Sequence, residues 1–324
     1  MCTSQNDYAM KHRLLPRVLL AALMMYAAAA IAQTPEFSFG VIPHAFQNST
    51  DEMPLHDAIA GTNRENLAFV VVNGIKSSKE TCDDALYDRR KNLLNTAENG
   101  VVISLAASDW TECKNAKAKS AAIERLNRLR EVFFTDDFSL GASKIPLVRQ
   151  SSSAKFRSYA ENARWELATV LFATVNLPKK NNHYRSEAGR NSEFEDRLIA
   201  NRDWLDRLFS QARRRKLDGI VLFCDANPLE LPNQTQLSNY GTPRDGFAET
   251  RHLITGLAAK FAGKVLLVHS QHRSPSGTEP VIVWHDNLGT LGVDARWIEV
   301  AVHPGSSALF SVGDYREIAK SAQK

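Results

Sequence analysis

Side chains that can act as acids, bases or metal ligands stand where apolar runs of the chain end. His44 follows the first run, Asp109 follows the third, and His269 and His272 close a later one. Two or three histidines with one carboxylate can hold Zn²⁺ and leave a position open for water. Because His-x-x-His on a strand or loop is a weak zinc signal by itself, the alternative is that both histidines hydrogen-bond to neighbouring loops.

Other polar residues at run ends also have two interpretations. Asp225 and Asn227 follow an apolar run and could contact a ligand, but Asp and Asn are common turn formers. Asp109 could equally pair with an arginine or cap a turn. His44 could act as a general base in metal-free hydrolysis, although the sequence names no nucleophile for it.

Common catalytic motifs are absent from the sequence. It contains no G-x-x-x-x-G-K-[ST] phosphate loop, no G-x-G-x-x-G after a strand and no G-x-S-x-G elbow. It also lacks C-x-x-C and H-E-x-x-H. The remaining candidates are the polar residues at strand ends, which is where α/β proteins place their sites.

The elements that must position these residues follow from the hydrophobic pattern. Short apolar runs bounded by turn residues predict buried strands, and longer runs with apolar residues at helical spacing predict helices. The predicted strands are Phe37–Ile42, Leu67–Val72, Val101–Ala106, Leu167–Val175, Gly219–Cys224, Lys264–His269, Val281–His285, Trp297–Val302 and Leu309–Val312. The predicted helices are Asp84–Glu98, Ala121–Phe134, Glu193–Lys216 and Phe247–Phe261. Alternating strands and helices followed by a helix-poor run of strands predict a mixed sheet with a second sheet packed on it.

The first 32 residues predict export. A basic start precedes the apolar run Val18–Ile31, and Ala30-Ile31-Ala32 offers small residues to a signal peptidase. We therefore expect a signal peptide over residues 1–32 and one domain over residues 33–324, in the periplasm or secreted. An uncleaved membrane anchor is the alternative.

Charge excludes some partners. The formal net charge is +4, and the signal segment removes three cations and one anion, which leaves about +2. Such a balance gives no reason to expect binding to nucleic acid or, after signal cleavage, to a membrane. The one basic cluster, Arg213–Lys216, ends a predicted helix, where cations complement the helix dipole and remain solvated.

Cysteine positions suggest one disulfide. Cys82 and Cys113 each lie in a polar loop beyond a predicted strand, whereas Cys224 lies inside an apolar strand. In an oxidising compartment the first two are the natural pair, and Cys224 is a buried small hydrophobe.

Four segments at or near the ends of predicted strands are Val72–Ser78 (Val-Asn-Gly-Ile-Lys-Ser-Ser), Ala106–Cys113 (Ala-Ala-Ser-Asp-Trp-Thr-Glu-Cys), Glu161–Glu166 and Val268–His272. In this order, they resemble the metallophosphoesterase (calcineurin-like phosphoesterase) family, in an exported bacterial branch. The resemblance implies an α/β sandwich of two mixed β-sheets flanked by helices, and a two-metal phosphoesterase site at the strand ends. It also places Asn73, Ser108 and Asn176 beside a bound ligand.

The sequence departs from that family at the metal ligands. Val41 and Gly74 stand where the family has two aspartates, the second of which bridges the metals, and Ser108 replaces a phosphate-facing asparagine. A two-metal site needs carboxylates to offset the repulsion between its cations, so this chain is not expected to bind two metals.

We therefore expect a pseudoenzyme, which is an exported protein that binds a small molecule or a protein and uses no cofactor. The alternative is a phosphoester hydrolase that holds one divalent metal (Zn, Mn or Fe) through His269, His272 and Asp109. Metal-free hydrolysis with His44 as base is a third possibility.

Overall fold

Two mixed β-sheets form the centre of the protein. The computed structural model describes residues 35–185, 191–232, 244–270, 280–294 and 296–313. In these residues, one sheet has five strands and the other has seven. The predicted α/β class, with two mixed sheets flanked by helices, is confirmed.

The five-stranded sheet is parallel on one side and antiparallel on the other. Its order is β12-β11-β1-β2-β3; β1, β2 and β3 are parallel, and β11 is antiparallel to β1. In the register of the parallel strands, Val41 lies beside Val71, and Val72 beside Ile103. The strands are β1 (Phe37–Ile42), β2 (Val70–Asn73), β3 (Val101–Ser104), β11 (Ile298–Val302) and β12 (Phe310–Val312).

The seven-stranded sheet has a parallel centre. Its order is β4-β5-β6-β7-β8-β10-β9, in which β6, β7, β8 and β10 are parallel and the flanking strands are antiparallel. The strands are β4 (Val148–Arg149), β5 (Ala163–Leu167), β6 (Val170–Thr174), β7 (Gly219–Cys224), β8 (Lys264–His269), β9 (Val283–His285) and β10 (Leu288–Gly292).

Aromatic side chains fill the space between the sheets. Phe39 of β1 packs edge-on against Phe172 of β6 at 5.4 Å, and Phe69 packs against Trp165 of β5 at 5.2 Å. Side chains alternate between the faces of a strand, so Val71 joins this inter-sheet core whereas its neighbours face the helices. The parallel strands, covered on both faces, are therefore apolar along most of their length, with polar residues mainly at their ends.

Helices cover the outer face of each sheet. The first four helices in chain order pack on the side of the five-stranded sheet, and the last two cover the seven-stranded sheet. The helices are α1 (Met53–Thr62), α2 (Asp84–Leu94), α3 (Ala107–Trp110), α4 (Ala122–Phe133), α5 (Ser192–Arg215) and α6 (Ala248–Ala259). Two 3₁₀ turns, Gln150–Ser152 and Ala154–Phe156, precede β5. Among the described residues, no helix has both the length and the apolar character to cross a bilayer.

The hydrophobic pattern predicted most elements within a few residues. The bounds of β1, β7 and β8 are confirmed, and α5 differs from its prediction by one residue at each end. The sequence analysis missed α1, α3, β4, β5 and β10. In α1, Gly61 and several polar residues obscure the apolar stripe, and β4 has only two residues. The predicted signal peptide lies outside the described residues.

The predicted disulfide is confirmed. Cys82 and Cys113 are bonded, with their Cα atoms 5.8 Å apart, and Cys224 is a buried free cysteine. The bond joins the loop before α2 to the loop after α3, which places it beside two of the segments that follow the strand ends.

Replacing both Cys82 and Cys113 with alanine should lower the free energy of unfolding by about 3–4 kcal/mol, the loop-entropy value for this separation. The two residues are 31 positions apart, so the bond restricts a long loop of the unfolded chain. Urea denaturation with and without dithiothreitol measures the effect. Reduced wild type should match the double variant, and a Cys224→Ala control should keep its sensitivity to reductant. A wild-type midpoint that dithiothreitol leaves unchanged would contradict the prediction.

Candidate functional site

The polar residues predicted from the sequence lie at the edge where the parallel strands end. His44 follows β1, Asn73 ends β2, and Asp109 lies in α3 just after β3. In the other sheet, Asn176 follows β6 and His269 ends β8. Carboxyl ends of parallel strands are the usual place for a site in an α/β protein.

Hydrogen bonds join the strand ends of the two sheets at this edge. The Asn73 side-chain amide donates to the carbonyl oxygen of Cys224 at 3.2 Å and to Ser104 Oγ at 3.4 Å. The backbone N–H of Ala107 donates to Asp225 Oδ2 at 2.8 Å. We call this region the strand-end cleft, defined by residues 43–44, 73–77, 104–109, 224–225 and 269–270.

His44 occupies the space beside Gly74. Its Nε2 lies 3.0 Å from the carbonyl oxygen of Lys76 and 3.1 Å from Ser108 Oγ. Gly74 has φ +68°, and a Cβ built on it would lie 2.7 Å from His44 Nε2 and 2.8 Å from the Cβ of Ala106. A glycine at 74 is thus required both by the backbone conformation and by the histidine ring.

The donor and acceptor roles in the His44 contacts do not fit a general base acting on Ser108. A carbonyl oxygen only accepts hydrogen bonds, so Nε2 must carry its hydrogen to donate to Lys76. Ser108 Oγ then lies beside an N–H donor, whereas a general base needs a free lone pair facing the nucleophile. The structure brings His44 and Ser108 together, and the contact with the Lys76 carbonyl favours the tautomer that leaves the serine unactivated.

Asp109 holds backbone amides in place. Its Oδ1 accepts hydrogen bonds from the N–H groups of Ile75 at 2.9 Å and Lys76 at 3.2 Å, and Oδ2 accepts from Ala106 at 2.7 Å. The residue is fully buried. Burial raises the pKa of this carboxyl, against the opposing effects of His44 and the backbone donors. The sequence left two interpretations open for Asp109, which were pairing with an arginine and capping a turn. The observed contacts are those of a turn cap.

Lys76 crosses between the same two loops. Its side chain is buried, and Nζ donates to the carbonyl oxygens of Ser77 at 2.6 Å and Ser108 at 2.9 Å. Burial lowers the pKa of this amine, while the nearby Asp109 carboxylate opposes that shift. The lysine and the aspartate together fix the loop after β2 to the loop after β3.

Asp225, which follows β7 of the seven-stranded sheet, binds backbone amides as Asp109 does. Its Oδ2 accepts hydrogen bonds from the backbone N–H groups of Ala107 and Lys179, at 2.8 and 2.9 Å. Its Oδ1 accepts one from the Ser270 hydroxyl at 2.8 Å. Only 1% of Asp225 is exposed, so this carboxylate contacts protein groups on nearly every side.

The residues present do not fit a two-metal centre. Val41 is buried in the inter-sheet core, Gly74 has no side chain and no room for one, and both oxygens of Asp109 accept backbone hydrogen bonds. Within the described ranges, no three His, Cys, Asp or Glu residues are grouped so as to hold a metal ion. His269 lines the cleft, and His272 lies outside the described residues.

A narrow cavity opens between the sheets beneath the cleft. Its volume is about 10 Å³, close to the lower limit for one water-sized molecule. Asn73, Ser104, His269 and Ser270 contribute its polar wall. The buried Oδ1 of Asn73 accepts no hydrogen bond from the described part of the chain, which leaves it available to a donor of about the size of one water molecule.

Asn176 belongs to a second polar network, which includes Glu161 and Arg130. Its Nδ2 donates to Glu161 Oε1 at 3.1 Å, and its backbone N–H donates to Asn162 Oδ1 at 2.8 Å. Glu161 in turn pairs with Arg130 at 2.7 Å. The predicted ligand-binding set is therefore divided: Asn73 and Ser108 share the cleft, whereas Asn176 is engaged in this second polar network.

The sequence analysis missed a left-handed turn beside this network. Four consecutive residues, Lys180 to His183, have φ between 54° and 60°. His183 Nδ1 lies 2.8 Å from Glu193 Oε2, and its ring packs edge-on against Trp110 at 4.8 Å. Asn tolerates this conformation better than most residues, so Asn181-Asn182 is the one signal in the sequence.

The pKa of the Glu193 carboxyl, beside the left-handed turn, is strongly perturbed. Burial opposes its ionisation, but the Arg197 guanidinium at 2.6 Å and the His183 hydrogen bond outweigh burial and lower the pKa of this carboxyl to about 2. The charged carboxylate thus ties the left-handed turn to α5.

Replacing Gly74 with alanine should lower the free energy of unfolding by about 2–4 kcal/mol, because the change combines a left-handed backbone with overpacking against His44. In a His44→Ala background the same change should cost about 1–2 kcal/mol less, since the ring is gone. A double-mutant cycle by urea denaturation measures this coupling. Equal costs in both backgrounds would show that His44 does not fill the space.

Glu193→Gln should remove part of the acid sensitivity of the protein. Because the folded pKa of Glu193 is depressed, its contribution is present above about pH 4.5 and is lost as the pH falls toward 2. Over that window wild type should lose about 2–3 kcal/mol more stability than the variant. The control is Glu195→Gln, which changes an exposed glutamate on the same helix. Parallel stability curves for wild type and Glu193→Gln would contradict the prediction.

Comparison with known proteins assigns no family to the chain. No protein-family model matches it, and no curated protein matches it. Among solved structures it is similar to one described as a novel phosphatase, from Mycoplasma pneumoniae. The identity is 9%, the match covers 89% of this chain and 97% of that chain, and the TM-score is 0.41. At this identity and TM-score, the likeness assigns neither a family nor an activity.

Proposed function

We propose that this chain is an exported, metallophosphoesterase-like protein that no longer performs two-metal catalysis and that binds a small molecule or a protein. The observation that carries the proposal is the packing of His44 against Gly74. The ring stands where a metal-bridging side chain at position 74 would need to extend. A chain with this packing has exchanged a possible metal ligand for an internal contact.

The use of the remaining carboxylate supports the same proposal. Asp109 accepts three backbone hydrogen bonds with its two oxygens. A cation would have to displace these bonds, and each buried amide left without an acceptor costs about 1–3 kcal/mol. The one-metal alternative, with His269, His272 and Asp109 as ligands, carries that cost as well.

Binding without catalysis requires polar groups that are still available. Asn73 Oδ1 provides a buried acceptor, and the Ser108 hydroxyl lies at the cleft with 8% of the residue exposed. No cofactor is part of this proposal. The partner is a small molecule or a protein, and neither nucleic acid nor membrane is included.

Export is the second part of the proposal. Residues 1–32 form the signal peptide, and residues 33–324 form one domain in the periplasm or outside the cell. The Cys82–Cys113 disulfide supports this location, because such bonds persist in oxidising compartments and are rare in the cytosol.

The proposal is tested by an assay of phosphodiester hydrolysis and by substitutions that introduce aspartate at positions 41 and 74. Purified wild type should not hydrolyse bis(p-nitrophenyl) phosphate above the buffer rate with Mn²⁺, Fe²⁺ or Zn²⁺. Val41→Asp with Gly74→Asp should remain inactive, because His44 blocks position 74. Adding His44→Ala to that pair removes the ring but not the left-handed backbone at position 74, and calorimetric titration with Mn²⁺ then measures whether a cation binds.

One outcome would overturn the proposal. Metal-dependent hydrolysis by wild type, lost in His269→Ala and retained in the exposed control His252→Ala, would identify a one-metal hydrolase. Retention of the rate in both variants would point to a contaminating activity.

A further inference from the structure

A second cavity lies at the opposite ends of the strands from the strand-end cleft. It has a volume of about 600 Å³ and lies where β7 and β8 begin. The carboxyl ends of α5 and α6 and the loop between β11 and β12 complete its wall. Cavities of about 300–1,000 Å³ are typical of small-molecule sites.

The wall of this cavity is strongly cationic. Arg213, Lys216, Lys260 and Lys264 line it, against a single carboxylate from Asp218. In the described ranges none of these four cations forms an ion pair, whereas Arg215, one residue from Lys216, pairs with Glu166 at 2.7 Å. Four unpaired positive charges around one concavity raise the local concentration of anions.

The helix dipole explains only part of this arrangement. Arg213 and Lys260 lie near the carboxyl ends of α5 and α6, where cations are favourable on any helix. Lys264 instead begins a strand, and Lys216 adopts the left-handed conformation that ends α5. Arg213 and Lys264 also make polar contacts outside the lining, the first with Ser210 Oγ at 3.2 Å and the second with the carbonyl oxygen of Asp286 at 3.5 Å. Residues from two helices and a strand therefore place positive charge near the same cavity for different local reasons.

The floor of the cavity is apolar. Ala212, Leu217, Phe261 and Leu309 line it, and each is buried. Ser306 and Ser307 add hydroxyl groups at the exposed rim. Apolar walls with a few converging charged groups are the usual composition of sites that bind organic ligands.

We infer that this cavity binds a small organic anion, with a phosphate, phosphonate or carboxylate group toward the four cations and an apolar body on the floor. The charge selects the anionic group, and the floor selects against inorganic ions of the same charge. The site is separate from the strand-end cleft, so the inference holds whether or not the cleft binds metal.

The test is calorimetric titration of the purified protein with phenylphosphonate, which a phosphoesterase cannot hydrolyse. Inorganic phosphate tests the charged group alone, and benzyl alcohol tests the apolar body alone. The cavity variant is Arg213→Gln with Lys260→Gln. The control is Arg214→Gln with Lys144→Gln, which removes the same two charge types from exposed positions outside the cavity.

Phenylphosphonate should bind more tightly than either fragment. The cavity variant should bind it at least about fivefold more weakly than wild type, while the control should stay within about twofold. Added salt should weaken binding to wild type. Equal losses in the two variants would overturn the inference by showing a general charge effect. No binding at millimolar phenylphosphonate, or equal affinity for inorganic phosphate, would also overturn it.

Discussion

Two buried carboxylates, Asp109 and Asp225, hold the strand-end cleft together by binding backbone amides. Between them they accept hydrogen bonds from five N–H groups, in loops that follow both sheets. A buried carboxylate is tolerated only when its oxygens are well supplied with donors, and charge-assisted bonds of this kind are about twice as strong as neutral ones. The loops around the cleft therefore depend on carboxylates that face the protein and not a ligand.

The binding of backbone amides by these two carboxylates determines which other side chains the cleft can contain. With Asp109 fixing the loop after β2, the backbone at Gly74 takes a left-handed conformation and the His44 ring packs on it. Lys76 then turns inward to the carbonyl of Ser108, which completes the link between the loops. Around these residues the polar groups of the cleft are thus bonded to one another, and the Asp109 carboxylate is engaged by backbone amides.

Sequence periodicity predicted the scaffold better than the site. The buried strands β1, β7 and β8 and the long helix α5 have patterns that burial imposes directly, so their bounds were predictable. The sequence also placed His44, Asn73, Ser108 and Asp109 at one edge. The sequence could not show which way each side chain turns, because contacts within the loops decide the orientation. Asp109 accepts hydrogen bonds from backbone amides, and Asn176 donates one to Glu161. The left-handed turn at residues 180–183 likewise depends on packing against Trp110 and Glu193.

The central claim is that internal contacts occupy the positions where a phosphoesterase would bind its cations. Elemental mass spectrometry of the protein, purified after growth with added Mn, Fe and Zn, tests this most directly. The account predicts well under one equivalent of metal per folded chain. About two equivalents would contradict it and assign the cleft to two-metal chemistry, and one equivalent that disappears in His269→Ala would establish the one-metal alternative.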